Sequence, residues 1–403
     1  MTSPPLAPTA NRDLAFSGWL DFFRGLAAFA VVYGHARTLF LASVTPGQSL
    51  TPMSKMLYFL SNYGHQAVMV FFVLSGYLVG GTVIRAVREG RWSWGRYFLQ
   101  RGTRLYIVLI PALLLTLCWD YGEQLQSAGL TPNDDTAVAN IRSETIREHT
   151  SPAIFVGNVA FLQTVAVPSL GSNTPLWSLT NEFWYYLLFP LLWLAVAGPG
   201  VKWWIRLGYV SAAVVILTLL GEKIAVYFTI WLFGAVVSFI PELAWLRQDG
   251  RRRIASVVAA IGVLGFLVAF GAGRVRGELL RDFLLAVAFA ALLYCMKHNR
   301  LPASSIRLRR VAAFFADFSY TLYLVHLPPL IFLRACLTYE VAWRPDPESW
   351  AKLAGILALV LGYAYLVSLA TERQTERLRR RLERLVFRTK RPAFHPVRVE
   401  AAR

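Results

Sequence analysis

The feature that most restricts the fold of this chain is a series of apolar runs, each about 20 residues long. A run of that length crosses the hydrocarbon core of a bilayer as an α-helix. Hydrophobic residues make up 56% of the 403 residues and charged residues only 16%. The sequence therefore predicts an all-α protein, a polytopic bundle of about ten transmembrane helices.

Ten segments fit the length of a membrane helix. They are 19–41, 64–84, 97–118, 175–197, 203–220, 222–240, 254–272, 279–296, 312–335 and 350–371. We predict one transmembrane domain over residues 1–372 and a basic tail over 373–403. A further apolar piece at 153–167 is short and contains Asn158 and Gln163, so we interpret it as interfacial or re-entrant.

Lysine and arginine concentrate in alternate loops and in the tail, as they do in cytoplasmic segments of membrane proteins. These residues include Arg85, Arg88, Arg91, Arg96, Lys202, Arg206, Arg247, Arg251, Arg252, Arg253, Lys297, Arg300, Arg307, Arg309, Arg310 and the tail from Arg373. We therefore predict that both termini are cytoplasmic. The net charge of +18 would suit a nucleic-acid-binding protein. The basic residues lie between the apolar runs, however, which argues against that class.

Three ionisable side chains fall at similar predicted depths in the outer half of the membrane: His35, Glu182 and His326. An ionisable group at that depth is costly and usually indicates function. A structural alternative stays open for each one. His35 would be an imidazole bonded to a neighbouring carbonyl, Glu182 an acid paired with an arginine, and His326 a histidine in helix packing. Three such groups in one layer favour a functional site, in which Glu182 orients the imidazole or binds a substrate.

Arg101 and Arg104 lie at positions i and i+3, so they share one helix face near the predicted cytoplasmic end. Two guanidinium groups on one face can bind a phosphate or carboxylate, although anchoring at the membrane surface explains many such pairs. An anion site below a histidine suits acyl-coenzyme A, whose phosphates would stay inside while its thin arm enters the bundle. His35 would then act as the general base on an acceptor hydroxyl.

Five motifs in series resemble those of the acyltransferase 3 family of integral membrane acyltransferases. They are Asp21-Phe-Phe-Arg24-Gly25 with His35, Phe71-Phe-Val-Leu-Ser-Gly-Tyr-Leu78, Arg101-x-x-Arg104 with Pro111, Trp177-Ser-Leu-x-x-Glu182 with Tyr186 and Pro190, and Ser319-Tyr320-x-x-Tyr323-x-x-His326 with Pro329. One departure is Ala67-Val68-Met69, where many members read Gly-Val-Asp. His65, just upstream, is a candidate to replace part of the role of the missing acid.

The resemblance implies an enzyme that moves an acyl group, in particular acetyl, from acyl-CoA to a carbohydrate hydroxyl. The acceptor would be an exopolysaccharide or O-antigen unit, and the location the bacterial inner membrane. Acetyl-CoA would be a co-substrate, with no permanently bound cofactor or metal. Membrane lipid and polysaccharide-biosynthesis proteins would be partners, and nucleic acid would not.

The site residues that follow from the motifs and from their predicted depths fall into three groups. The first, the catalytic group, is His35 and Glu182. Arg101 and Arg104 would bind the donor, and the supporting or substrate-binding set is Trp177, Ser319, Tyr320 and His326. The same chemistry on an antibiotic, peptide or lipid hydroxyl stays open, as does a transporter or export accessory without catalysis.

Overall fold

The computed structural model describes residues 8–44, 49–127, 143–271, 277–299, 306–338 and 342–387. Within these ranges the regular structure is helical, and no strand is present. Two isolated β-bridges join Leu41 to Trp343 and Gln163 to Val167. The prediction of an all-α polytopic bundle is confirmed.

The helices are numbered here in chain order. They are α1 (Pro8–Phe40), α2 (Pro52–Ser61), α3 (Gly64–Ser75), α4 (Gly81–Arg88), α5 (Trp94–Ser127), α6 (Ser143–Glu148), α7 (Pro152–Val159), α8 (Leu176–Ala197), α9 (Trp203–Leu220), α10 (Glu222–Phe239), α11 (Asp249–Gly271), α12 (Glu278–His298), α13 (Ile306–Ala316), α14 (Ser319–Val325), α15 (Leu327–Leu337), α16 (Pro347–Ala370) and α17 (Thr375–Val386). A π-helical turn, Gly76–Gly80, joins α3 to α4.

Seven helices in the described part of the chain are long and apolar enough to cross a membrane. They are Gly64–Arg88, Trp94–Gln126, Trp203–Leu220, Glu222–Phe239, Asp249–Gly271, Glu278–His298 and Pro347–Val386. A bent pair, Arg310–Val325 with Leu327–Leu337, adds an eighth if it is one span. Helices α1 and α8, of 33 and 22 residues, overlap the first and fourth predicted spans but are not among these seven.

The predicted ninth span, 312–335, is broken rather than continuous, and the break at His326 bends the chain by 61°. Pro328 causes it, because its nitrogen carries no hydrogen to donate to the carbonyl of Leu324 one turn earlier. Asn173 donates to that carbonyl instead, at 2.9 Å. The break therefore places a histidine at the end of a helix, inside the bundle.

The segment at 153–167 does not form a spanning helix. Its helix α7 has eight residues, which rise only about 12 Å. The chain then turns at Phe161 and Thr164, both of which have positive φ. Gln163 donates to the carbonyl of Leu176 at 2.9 Å, which fixes this segment against the start of α8.

Candidate active site

Two histidines from distant parts of the sequence meet in the bundle. Nδ1 of His35, on α1, lies 2.8 Å from Nε2 of His326 at the helix break. The two rings stack with their centroids 5.1 Å apart and an interplanar angle of 12°. His326 is fully buried, whereas His35 is half-buried.

The hydrogen bonds fix which nitrogen of each ring carries a hydrogen. Nδ1 of His326 faces the carbonyl oxygens of Tyr323 and Leu322, at 2.8 and 3.1 Å, and a carbonyl only accepts. Nδ1 of His326 is therefore the donor, which leaves Nε2 of the neutral ring as the acceptor. His35 then donates from Nδ1, so its own Nε2 carries a lone pair and is available as a base.

A cavity of about 300 Å³, called here the histidine cavity, lies beside His35. Its lining is Val31, Gly34, His35, Arg37, Thr38, Ser61, Asn62, Gly64, His65, Val68, Thr174, Pro175, Trp177 and Tyr323. Helices α1 and α3 cross here through Gly34 and Gly64, since a Cβ on Gly34 would lie 3.6 Å from the Cα of Gly64. Each glycine precedes a histidine, so the crossing brings His35 and His65 to one cavity.

Glu182 belongs to a second cavity, the arginine cavity, of about 90 Å³. Its lining is Arg24, Val68, Phe71, Phe72, Leu74, Ser75, Leu78, Val79, Arg101, Arg104, Ser178, Leu179, Glu182, Tyr186, Ser319, Tyr320 and Tyr323. Glu182 accepts hydrogen bonds from Ser75, at 2.9 Å, and from the hydroxyl of Tyr186. The sequence placed Glu182 beside His35, but the imidazole bonds to His326 instead.

Ser75 owes its position to the π-helical turn that follows it. A Cβ on Gly76 would meet the carbonyl oxygen of Trp231, so only glycine allows α10 to pack this closely. The indole Nε1 of Trp231 donates to Ser75 at 3.1 Å, and Ser75 donates in turn to Glu182. The second motif thus holds the carboxylate through a packed helix crossing.

The two predicted donor-binding arginines both line the arginine cavity. Arg101 is buried between aromatic rings, 5.7 Å from the centroid of Tyr97 and 5.6 Å from that of Tyr186. Its Nε has no hydrogen-bond partner among the described residues. Arg104 remains accessible, since it also lines a third cavity.

This third cavity, the tail cavity, has a volume of about 450 Å³. Its lining is Arg24, Arg104, Ala316, Asp317, Glu372, Arg373 and Thr375. Three of these side chains are arginines, and Glu372 is held by Thr321, whose backbone nitrogen and hydroxyl both donate to it at 2.9 Å. The tail cavity therefore combines three arginines with two carboxylates, those of Asp317 and Glu372.

The three cavities form a series. The tail and arginine cavities share Arg24 and Arg104, and the arginine and histidine cavities share Val68 and Tyr323. The hydroxyl of Tyr323 lies 2.7 Å from Oγ of Ser178 and 3.2 Å from the carbonyl of Pro175. A continuous line of lining residues therefore connects the arginines to the histidine pair.

The remaining predicted residues divide between the cavities. Trp177 lines the histidine cavity, and Ser319 and Tyr320 line the arginine cavity. Ser319 donates to the carbonyl of Ala316 at 2.9 Å, and Tyr320 to that of Leu105 at 3.3 Å. The Ser319 hydroxyl thus caps the end of α13, and the Tyr320 hydroxyl ties α14 to the interior of α5. The catalytic and binding roles of the predicted residues stay predictions.

One pair was missed by the sequence reasoning: His65 with Asp282. Nε2 of His65 lies 2.9 Å from Oδ2 of Asp282, which is fully buried on α12. Tyr227 donates to the same oxygen at 3.2 Å. The available signal was the pair Arg281-Asp282 early in a run that is otherwise apolar.

These features define a multi-pass membrane protein with a buried histidine pair at one end of a line of cavities and arginines at the other. The chain matches the acyltransferase 3 family (Acyl_transf_3), described as an acyltransferase domain, over residues 17–371. It belongs to this family and is a membrane acyltransferase. Comparisons with curated proteins and with solved structures gave no match.

Proposed function

We propose that this protein transfers an acyl group, in particular acetyl, from acyl-CoA to a carbohydrate hydroxyl. The observation that carries the proposal is the line of cavities from Arg24 and Arg104 to His35, whose Nε2 is available as a base. An acyl-CoA has polyanionic and reactive ends joined by a thin arm, which suits that arrangement.

The donor would enter from the tail cavity. Arginine binds phosphate through paired, charge-assisted hydrogen bonds, and Arg24, Arg104 and Arg373 line this cavity together. The arm would pass Arg101 and Glu182 in the narrow arginine cavity and reach the histidine cavity between Val68 and Tyr323. In this proposal Glu182 contacts the donor arm rather than the imidazole.

The chemical step would take place in the histidine cavity. Nε2 of His35 removes the proton from the acceptor hydroxyl as its oxygen bonds to the thioester carbonyl carbon. The resulting tetrahedral intermediate collapses, the carbon–sulfur bond breaks, and the sulfur of CoA takes the proton from His35. His326 holds the imidazole in the required tautomer and accepts its Nδ1 hydrogen throughout.

The acceptor would occupy the rest of the histidine cavity. Arg37, Thr38, Ser61, Asn62 and His65 give it a polar wall, which suits a polyhydroxylated molecule. Trp177 adds an aromatic side chain of the kind that contacts sugar rings. With the tail cavity on the cytoplasmic side of the bacterial inner membrane, polysaccharide-biosynthesis proteins would supply an exopolysaccharide or O-antigen acceptor.

A transfer assay tests the proposal. Purified protein in nanodiscs is incubated with labelled acetyl-CoA and methyl glycosides of glucose, galactose and mannose as acceptors. His35→Gln is expected to lower transfer by about 10²- to 10⁴-fold, the usual contribution of a general base. His149→Gln, outside the three cavities, is the matched control and is expected to transfer at the wild-type rate. Full activity of His35→Gln, or no transfer by the wild type, would exclude this function.

A further inference from the structure

His65 and Asp282 form the second polar pair at the histidine cavity, and neither has a part in the chemical step above. Asp282 is fully buried in α12, although an ionisable group inside a membrane bundle is costly. His65, at the start of α3, has a side chain 32% exposed and lines the cavity with His35. An accessible imidazole is thus tied to a buried carboxylate.

The hydrogen bonds leave one nitrogen of His65 for a ligand. The carboxylate of Asp282 accepts at Oδ2 from Nε2 of His65 and from the hydroxyl of Tyr227. Glu278, which is exposed, lies further from the same nitrogen of His65, at 3.7 Å. In the neutral ring Nδ1 is then the acceptor, and it has no hydrogen-bond partner among the described residues.

The orientation of the ring is fixed on both sides. The ring of His65 stacks on that of Trp177, with centroids 5.9 Å apart and an interplanar angle of 16°. Tyr227 packs on Trp177 at 5.9 Å and on His65 at 6.4 Å. The carboxylate and the two aromatic rings hold the His65 ring in one orientation, as a substrate-positioning group requires.

We propose that His65, held by Asp282, positions the acceptor by binding a second hydroxyl through Nδ1. The histidine cavity then has two imidazoles, each with one nitrogen engaged inside the protein. Nε2 of His35 takes the proton of the reacting hydroxyl, and Nδ1 of His65 binds another hydroxyl of the same molecule. The acceptor is therefore a diol or polyol, and His65 determines which hydroxyl is acylated.

This inference rests on the proposed function, and two substitutions separate it from a purely structural role of His65. In His65→Gln the amide nitrogen can still donate to Asp282, but the acceptor corresponding to Nδ1 is lost. In His65→Asn an amide oxygen replaces that acceptor, but the donor to Asp282 is lost. A positioning role makes His65→Gln the more damaging change for acceptor binding, and a structural role makes His65→Asn the more damaging change for stability alone.

The experiment measures transfer from acetyl-CoA to the best of the methyl glycosides and to its monodeoxy analogues. In His65→Gln the KM for the glycoside is expected to rise about 3- to 10-fold, the effect of one neutral hydrogen bond, with the KM for acetyl-CoA unchanged. One monodeoxy analogue should give wild type and His65→Gln equal KM values, because the hydroxyl that His65 binds is missing. The position of acetylation on the full glycoside should also become less uniform.

Unchanged KM and unchanged acetylation position in His65→Gln, in a wild type that does transfer, would overturn the positioning role and leave the proposed function standing. Equal losses for every monodeoxy analogue would also overturn it. His149→Gln is the control for a histidine replaced outside the cavities, and the melting temperature of each variant identifies losses due to misfolding. Absence of transfer by the wild type would instead overturn the proposed function, and this inference with it.

Discussion

At the scale of the residue, His35 depends on a partner that is far away in the sequence. Its orientation follows from His326, which is bonded in turn to the carbonyls of Tyr323 and Leu322. Each hydrogen bond in this series, from His35 through His326 to the backbone, has a defined direction, because the last acceptors are carbonyl oxygens. The lone pair on Nε2 of His35 therefore follows from the backbone of the broken helix.

The donor-binding role of Arg101 and Arg104 can be tested at the same scale. If they bind phosphate, replacing both with alanine should weaken CoA binding about 10- to 100-fold, since hydrogen bonds to charged groups are the stronger kind. Binding of pantetheine, which lacks the phosphates of CoA but would still pass Arg101, should be weakened much less. The two affinities are measured by isothermal titration calorimetry in detergent.

Arg251 and Arg253 provide the matched control, because both are exposed on α11 and line none of the three cavities. Replacing them with alanine removes the same charge and should leave CoA binding unchanged. If both double variants lose CoA affinity equally, the effect is one of net charge. If Arg101 and Arg104 can be removed without loss, they only anchor α5.

At the scale of the element, close helix crossings hold the site together. Helices α1 and α3 meet at Gly34 and Gly64, and the π-helical turn meets α10 at Gly76 and Gly234. A Cβ on either of the latter two glycines would collide with backbone of the facing helix. Helices in lipid associate mainly through such packing, so these crossings determine where the site residues lie.

Gly76→Ala should therefore destabilise the protein, by about 1–3 kcal/mol as for other overpacked sites. The added methyl group would meet the carbonyl oxygen of Trp231, and α10 would have to move away. Gly262→Ala on α11 is the control, because its Cβ would meet no atom within 4 Å. The measurement is the melting temperature of both variants in one detergent. Equal melting temperatures would show that the crossing accommodates a methyl group at Gly76.

Most of the elements could be predicted from the sequence, because length and apolarity are local properties of a helix. The interruption at His326 was harder to predict, since Asn173, which donates to the carbonyl left without its helical partner, is 151 residues away from Leu324. Depth along the helix placed His35 and His326 in one layer, where they do meet. Depth carries no information about which face a side chain occupies, so the separation of Glu182 from His35 required the structure.

At the scale of the whole molecule, the proposed donor and acceptor sites lie at the two ends of a series of three cavities with shared lining residues. The arginine cavity, of about 90 Å³, is the middle one of the series and would hold the extended arm of the donor. Val68 and Tyr323 line it where it meets the histidine cavity. In the proposed function the donor enters on the side of the tail cavity, and the reaction takes place at His35.

Sealed membrane vesicles of the two orientations test this claim directly, with labelled acetyl-CoA added only to the outside. Inverted vesicles, with the cytoplasmic face outward, are expected to acylate glycan enclosed in their lumen, and inverted His35→Gln vesicles are expected to transfer about 10²- to 10⁴-fold less. Right-side-out vesicles should transfer nothing until they are permeabilised. Equal transfer in both orientations, or transfer at the wild-type rate in His35→Gln, would rule out this arrangement.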